Sequence, residues 1–85
     1  MSYVYILKSL KNNKFYVGIT EDLKRRLKEH NTGLSFYTKR HMPWILVYKE
    51  TCDNILGARK REKYFKSAAG RRFVKKNIHS GVAQR

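Results

Sequence analysis

Residues 3–26 read YVYILKSLKNNKFYVGITEDLKRR, and this stretch decides the fold. It contains two short strands, over residues 3–7 and 14–20, on either side of a polar turn at Asn12 and Asn13. Asparagine tolerates the left-handed backbone that tight turns need, so the turn predicts a β-hairpin. The second strand leads directly into a predicted helix.

Alternation along the two strands sorts their side chains onto two faces, since successive residues of a strand point in opposite directions. One face carries the aliphatic and aromatic core residues Val4, Ile6, Phe15, Val17 and Ile19. Tyr5 and Tyr16 lie on the opposite face, where Gly18 leaves an opening beside them. Two tyrosines beside an opening are unusual for packing alone, which makes this face a candidate site.

The helix after the hairpin has a start signal and a stop signal. Thr20 is predicted to cap it, and Glu21 and Asp22 in the first turn suit the positive end of the helix dipole. The helix is predicted to end near Asn31, because Gly33 supplies the usual stop just past a helix end.

One stripe of this helix combines Leu23 and Leu27 with Arg26 and His30 at helical spacing. The leucines indicate that the stripe faces inward, so Arg26 is predicted to point towards the margin of the sheet. A half-buried guanidinium needs an anionic partner, and a substrate phosphate is one candidate. A structural ion pair, for example with Glu62, is the other.

The chain continues with a loop over residues 31–43, in which bases and aromatics are interleaved as in surfaces that contact phosphates and stack on bases. Residues 44–51 are rich in β-branched and aromatic side chains and predict a third strand. After a second helix, residues 70–78 predict a short basic helix.

The second helix is predicted to begin at a cap on Asp53 or Asn54 and to end near Lys66. Its apolar stripe consists of Ile55, Ala58 and Phe65, and it includes one acid, Glu62. The sequence holds 6 acidic residues, so an acid on an inward stripe among bases is a candidate functional carboxylate.

These elements predict an α/β (α+β) domain with a small three-stranded, mostly antiparallel sheet flanked by about three helices. A chain of 85 residues suits one domain with a small core. Residues 1–78 are expected to form this single domain, and residues 79–85 a basic flexible tail.

The net charge is +14, from 20 Lys and Arg against 6 Asp and Glu, and it points to a polyanionic partner. Nucleic acid is the first candidate, and ribosomal RNA and an anionic membrane are the rivals. The membrane is the weaker rival, because no long amphipathic helix with a cationic back is evident. The single cysteine, Cys52, excludes an internal disulfide. The cytoplasm is expected, because no signal peptide or bilayer-spanning run is evident.

Hydrolysis of a phosphodiester needs an activated water, neutralised phosphoryl oxygens and help for the leaving oxygen. Glu62 is the candidate ligand for a single Mg²⁺ or Mn²⁺, because hard cations prefer carboxylate oxygen. Arg26 suits the non-bridging oxygens, and Tyr5 and Tyr16 suit hydrogen bonds to the phosphate or the water. His30, one turn beyond Arg26, can take or relay a proton. These residues alone leave open which group is the base.

Residues 3–5 (YVY) and 16–18 (YVG), followed by a helix with Arg26, resemble the two triplets and the helix of the GIY-YIG nuclease family. Ten residues separate the last tyrosine of the first triplet from the tyrosine that opens the second, which fits the family. The first triplet opens with tyrosine where glycine is usual. Residues 34–48 and 57–66 also resemble the small single-domain branch of the family, so the resemblance covers nearly the whole chain.

The resemblance implies a metal-dependent endonuclease that hydrolyses DNA phosphodiester bonds. In the family, the tyrosine matching Tyr5 is usually proposed as base or nucleophile activator, and the one matching Tyr16 orders nucleophile and phosphate. The arginine matching Arg26 steadies the phosphate, and His30 matches a second basic position on the same helix. The glutamate matching Glu62 holds the metal.

Larger members of the family gain substrate choice from additional domains. None is predicted here, so recognition is expected to follow the structure of DNA rather than its sequence, or to need a protein partner. The predicted nucleic-acid contacts are Lys24, Arg25, Tyr37, Lys39, Arg40, Arg59 and Arg61. RNA is the alternative nucleic acid, no membrane partner is expected, and the chain is expected to be a monomer or a weak dimer.

A second class of function stays open: a non-catalytic nucleic-acid-binding module that keeps the nuclease fold. Such a module would tolerate the loss of Glu62 and of metal. His30 also suits the negative end of its helix without any proton transfer. The family's asparagine after the metal-binding helix is not assigned, because Asn77 stands in a different local context. A ribosome-associated protein is a third reading.

Overall fold

In the part of the chain that the structure describes, three antiparallel strands form the sheet, in the order β2-β1-β3. The structure, a computed structural model, describes residues 1–34 and 37–79. The strands are β1 (Ser2–Ser9), β2 (Phe15–Thr20) and β3 (Trp44–Cys52). β1 pairs antiparallel with both neighbours, so the sheet is entirely antiparallel. The predicted small antiparallel sheet is confirmed.

The hairpin turn between β1 and β2 has the predicted chemistry. Asn13 adopts a left-handed backbone with φ of 63°, and the Asn12 side chain accepts a hydrogen bond of 3.1 Å from the Lys14 backbone N–H. The register that follows places Tyr5 opposite Gly18. The turn thereby fixes which residues meet at the candidate site.

Among the described residues, three helices accompany the sheet, as predicted: α1 (Leu23–Asn31), α2 (Ile55–Lys66) and α3 (Ala68–Phe73). A 3₁₀ turn (Thr38–His41) precedes β3, and a π-helical segment (Val74–His79) continues α3. The predicted basic helix over 70–78 therefore begins earlier, at Ala68, because Ser67 caps it by accepting a hydrogen bond from the Gly70 backbone N–H.

The cap of α1 differs from the prediction. Asp22, not Thr20, accepts the hydrogen bond from the Arg25 backbone N–H, at 3.1 Å. Thr20 accepts one from the Asp22 backbone N–H instead, also at 3.1 Å, and so stabilises the turn before the helix. Glu21 and Asp22 therefore precede the helix rather than occupying its first turn. Of the two candidate caps of α2, Asn54 is the one used.

Each face of the sheet is covered by helices, so β1 is buried on both sides. Val4 and Ile6 pack in a core with Ala58 and Phe65 from α2. On the other face, Tyr5, Leu7 and Trp44 form a second core, against which α1 packs through Leu23 and Leu27. The face predicted to hold the two tyrosines is thus the α1 face, and the face predicted to be aliphatic is the α2 face.

Close packing of α3 against the end of α2 depends on Gly70. A Cβ atom at this position would overlap the carbonyl oxygen of Tyr64 and the Cα atom of Phe65. Only glycine therefore lets α3 lie this close to α2. The next two residues, Arg71 and Arg72, are exposed on α3.

The predicted tail over residues 79–85 lies, apart from the backbone of His79, outside the described residues. In the part of the chain that the structure describes, no helix is both long enough and apolar enough to cross a bilayer.

Candidate active site

Tyr5 lies at the centre of β1 and is paired with Gly18 on the neighbouring strand β2. A Cβ atom on Gly18 would lie 2.5 Å from Tyr5 Oη and 2.6 Å from Tyr5 Cζ. It would also lie 3.1 Å from Cε2 of Tyr16. The glycine therefore provides the space that the Tyr5 ring occupies, in agreement with the opening predicted at this position.

His30 joins Tyr5 to Thr38 through its two ring nitrogens. Tyr5 Oη and His30 Nε2 form a hydrogen bond of 2.9 Å, and His30 Nδ1 and Thr38 Oγ1 form one of 2.7 Å. His30 and Thr38 are fully buried, and Tyr5 is 2% exposed. The Thr38 carbonyl accepts a hydrogen bond of 2.8 Å from Trp44 Nε1, which anchors this chain of contacts to β3.

Burial keeps both ends of the central hydrogen bond neutral at neutral pH. Burial, reinforced by the positive charge of Arg26, lowers the pKa of His30 to about 4. Burial raises the pKa of Tyr5 to about 12, although Arg26 opposes the shift. A neutral imidazole carries one ring proton, so its two contacts are one donated and one accepted hydrogen bond.

Arg26 lies beside Tyr5 and has the anionic partner that the sequence required. Its Nη1 donates a hydrogen bond of 2.9 Å to Oε1 of Glu29, one turn along the same helix. This contact raises the pKa of the guanidinium. The Arg26 side chain remains 31% exposed, so a ligand in solvent can reach it. Glu29, rather than Glu62, is therefore its structural partner.

Tyr16 completes the aromatic part of the site. Its ring centroid lies 4.9 Å from that of His30 in an edge-to-face contact and 6.3 Å from that of Tyr5. On its outer side it stacks on Tyr37, with 6.0 Å between centroids. Four of the five predicted site residues therefore lie together on the α1 face.

Glu62 lies on α2, the helix on the other face of the sheet. Its negative charge contributes to the raised pKa of Tyr5, so the two groups interact electrostatically. Its Oε2 accepts a hydrogen bond of 3.1 Å from Lys66 Nζ, and its side chain is 25% exposed. Among the described residues, no group of three or more His, Cys, Asp or Glu side chains could hold a metal ion.

Residues 1–77 match the family model described as the GIY-YIG catalytic domain. The chain belongs to the GIY-YIG family. This is a family of nucleases, which implies a nucleic acid as the class of substrate. The resemblance inferred from the two triplets is confirmed.

Similar GIY-YIG proteins share most of their length with this chain. It is 45% identical over 67 residues to the UPF0213 protein CPE1444 of Clostridium perfringens (strain 13 / Type A), which covers 78% of this chain and 71% of that protein. It is 40% identical over 67 residues to the UPF0213 protein of Syntrophus aciditrophicus (strain SB), over 76% of each chain. The solution NMR structure of the UPF0213 protein BH0048 from Bacillus halodurans is similar at a TM-score of 0.55 and 31% identity, covering 92% of this chain and 87% of that one.

The nucleic-acid contacts predicted for this GIY-YIG chain lie on three separate elements. The exposed ones are Lys24 and Arg25 on α1, Tyr37, Lys39 and Arg40 at the 3₁₀ turn, and Arg59 on α2. Arg61 is more constrained, because its Nε and Nη2 each donate a hydrogen bond of 2.8 Å to the carboxylate of Glu50 on β3. A phosphate at Arg61 would therefore compete with an existing ion pair. These assignments stay predictions.

Sequence reasoning missed two residues of the site. Thr38 lies in a loop where a single threonine gives no signal, yet it binds the ring of His30. Glu29 neutralises Arg26, and its position three residues along the helix is a signal that could have been used. The aromatic residue Phe36, part of the predicted stacking loop, lies outside the described residues.

Proposed function

We propose that the chain is a metal-dependent endonuclease that hydrolyses DNA phosphodiester bonds and follows the structure of the DNA rather than its sequence. The observation that carries this proposal is the hydrogen bond of 2.9 Å between Tyr5 and His30, made beside Arg26. Membership of a nuclease family and a net charge of +14 support nucleic acid as the substrate.

Arg26 is the proposed phosphate-binding group. A guanidinium has five N–H donors in a planar fork, so Arg26 can keep its bond to Glu29 and still offer donors to non-bridging oxygens. Hydrogen bonds from a cation stabilise the charge that develops on the phosphoryl group during hydrolysis. We assign Arg26 this role and Tyr16 the role of ordering the nucleophile and phosphate.

Glu62 fits the role of a single ligand for Mg²⁺ or Mn²⁺. Mg²⁺ is commonly held by one or two carboxylates, with waters and substrate phosphates completing its shell. The side chain of Lys66, its present partner, is 57% exposed, and exposed ion pairs are weak, so Lys66 can release the carboxylate at small cost. A divalent cation bound there would supply positive charge to the phosphoryl oxygens.

Tyr5 is the proposed base or nucleophile activator. With a pKa of about 12, set chiefly by burial, its phenol keeps its proton at neutral pH in the free protein. His30, with a pKa of about 4, is a weak acceptor for that proton. In this state Tyr5 acts as an activator rather than as the base: it orients the nucleophile as a neutral hydrogen-bonding group, and His30 holds the phenol in position.

The test is a cleavage assay on single-stranded, duplex, flapped and branched DNA with Mg²⁺ or Mn²⁺. Glu62→Ala should abolish cutting, and so should a chelator, because the carboxylate and the cation act together. Glu21→Ala is the matched control, because it removes an exposed acid just before α1 and should cut normally. Equal cutting by the wild type and Glu62→Ala would exclude the proposed role of Glu62.

The alternative function is a non-catalytic nucleic-acid-binding module. The ion pair between Glu62 and Lys66 favours it, because this pair gives Glu62 a structural partner without any metal. This alternative is correct if the wild type and Glu62→Ala bind the DNA panel equally and neither protein cuts it with either cation.

A further inference from the structure

A groove of about 990 Å³ runs between the outer edge of β2 and α3. β2 is an edge strand, because it pairs with β1 on one side in the order β2-β1-β3. Lys14, which precedes this strand, and residues 15–17 at its start line one side of the groove. The groove reaches the candidate active site, because Tyr16 is one of these residues.

The rim of the groove is strongly cationic. Five of the described side chains that line it are basic: Lys14, Lys66, Arg71, Arg72 and Lys75. None of the described residues that line it is acidic. Lys66 also binds Glu62, so one cation of the rim touches the proposed metal ligand. The charge is therefore complementary to a polyanion that passes the candidate site.

The floor of the groove is apolar and aromatic, with Phe15, Val17, Phe65 and Val74 among its lining residues. At one end Tyr37 stacks on Tyr16, and the Tyr37 side chain is among the large apolar groups that remain exposed, at 49%. A duplex presents phosphates and sugars outward and hides the faces of its bases. Unpaired bases expose those faces, and aromatic side chains beside a cationic groove bind them by stacking.

We propose that this groove binds a single-stranded segment of nucleic acid, with phosphates along the cationic rim and a base stacked at Tyr37. The proposal rests on the proposed function, since it extends the same nucleic-acid site from Tyr16 along α3. It adds contacts that the sequence did not predict, at Lys14, Arg71 and Arg72. Unpaired substrate would then enter the site from this side.

Binding can be measured without cleavage, by fluorescence anisotropy of a labelled oligothymidylate of about 12 nucleotides, a length that such grooves accommodate. All proteins carry Glu62→Ala and the buffer contains EDTA. The groove variant is Arg71→Ala with Arg72→Ala. The matched control is Lys28→Ala with Lys49→Ala, which removes the same charge from exposed residues of α1 and β3 outside the groove. Thermal unfolding checks that each variant is folded.

The groove variant should bind on the order of tenfold more weakly at 0.1 M salt, because two phosphate contacts are lost. The slope of the logarithm of its affinity against the logarithm of the salt concentration should become shallower by about 1.4. The control pair should lose about threefold or less, since it weakens only the long-range field. Tyr37→Ala should weaken binding about fivefold or more, whereas Tyr37→Phe keeps the ring and the affinity.

Equal losses in the groove variant and the control pair would overturn the proposal, because net charge alone would then explain binding. Tighter binding of a duplex of the same length would overturn single-stranded nucleic acid as the occupant, as would full displacement by polyglutamate at equal charge. Loss of binding in the groove variant together with no cutting by the wild type would keep the groove and reject the nuclease. Cutting by the wild type together with unchanged binding by the groove variant would keep the nuclease and reject the groove.

Discussion

Thr38 fixes the ring of His30 from the side away from Tyr5. Its hydroxyl is 2.7 Å from His30 Nδ1, and both residues are fully buried. The neutral ring donates through one nitrogen and accepts through the other, so the role that Nδ1 takes towards Thr38 sets the role that Nε2 takes towards Tyr5. We expect this threonine to be a positioning residue for the proposed reaction.

Replacing Thr38 by valine should leave Nδ1 buried without a partner and reduce the free energy of unfolding by about 1–3 kcal/mol. Thr38→Ser keeps the hydroxyl and should restore most of it. Urea unfolding measures the stability, and ¹⁵N NMR of the ring nitrogens reports whether His30 holds a single tautomer. An unchanged tautomer and unchanged stability in Thr38→Val would contradict the role of the hydroxyl.

His30 should make the folded state sensitive to acid. Its pKa is about 4 in the fold, against 6.5 for the free side chain, because burial disfavours the charged ring. The unfolded chain therefore binds the proton first, and stability is complete above pH 6.5 and falls as the pH drops towards 4.

Between pH 7.5 and pH 5 we expect a loss of about 2 kcal/mol from this residue. Urea unfolding at both pH values measures it, with His30→Gln as a variant that cannot titrate at this position. If wild type and His30→Gln lose the same stability over this range, the buried histidine is not the source of the acid sensitivity.

Local patterns predicted four candidate site residues that the fold places side by side. Alternation placed Tyr5 and Tyr16 on one face, and helical spacing put Arg26 and His30 on one stripe; the fold brings all four together. Thr38 escaped prediction because its role depends on a loop folding back over α1, which no local pattern encodes.

Gly70 determines how closely α3 lies against α2. Because a Cβ atom would overlap backbone atoms of Tyr64 and Phe65, Gly70→Ala should push the helices apart and reduce stability by about 1–3 kcal/mol. Gly57→Ala, in α2, is the matched control. A Cβ atom there would make only ordinary contacts of 3.8 Å, so it should be neutral or stabilise by up to about 1 kcal/mol.

Thermal unfolding compares the two alanine variants, and oligonucleotide binding follows the displacement of Arg71 and Arg72. Similar stabilities for Gly70→Ala and Gly57→Ala would mean that the backbone gives way without strain, and the close approach would then have no energetic weight.

Most elements were predicted correctly from the sequence. The starts of α1 and α3 were not, and both differences come from which residue caps the helix. The hairpin, α1, α2 and β3 were each predicted from periodicity, turn residues and caps. The cap of α1 is Asp22 rather than Thr20, because Thr20 accepts a hydrogen bond from the Asp22 backbone N–H in the turn before the helix. The last helix begins at Ala68 rather than at residue 70, because Ser67, just after the predicted end of α2 at Lys66, caps it.

The net charge of +14 should dominate affinity for nucleic acid. We expect the affinity for duplex DNA to fall at least about tenfold between 50 mM and 200 mM salt, because even two phosphate contacts release enough counterions to produce this loss. Titrations at several salt concentrations measure the slope, and sucrose at matched osmolality is the control. An affinity that is constant across this range would exclude phosphate contacts as the main source of binding.

The composition predicted the partner class but not the location of its binding surface. The groove brings together the start of β2 and the residues of α3, which are more than fifty positions apart in sequence. The close packing of α3 on α2, which Gly70 permits, brings Arg71 and Arg72 to the edge of the sheet. A charge count carries no such spatial information.

Trp44 is the only tryptophan of the chain, and the fold puts it inside the site. It is 2% exposed, its indole N–H binds the Thr38 carbonyl, and its ring meets that of Tyr16 edge to face at 6.1 Å. The protein therefore carries its own optical probe. Its emission spectrum reports on the surroundings of Tyr16 and Thr38 with no label attached, and circular dichroism reports on the whole fold. Disagreement between the two signals during unfolding would reveal that the site opens before the rest of the molecule.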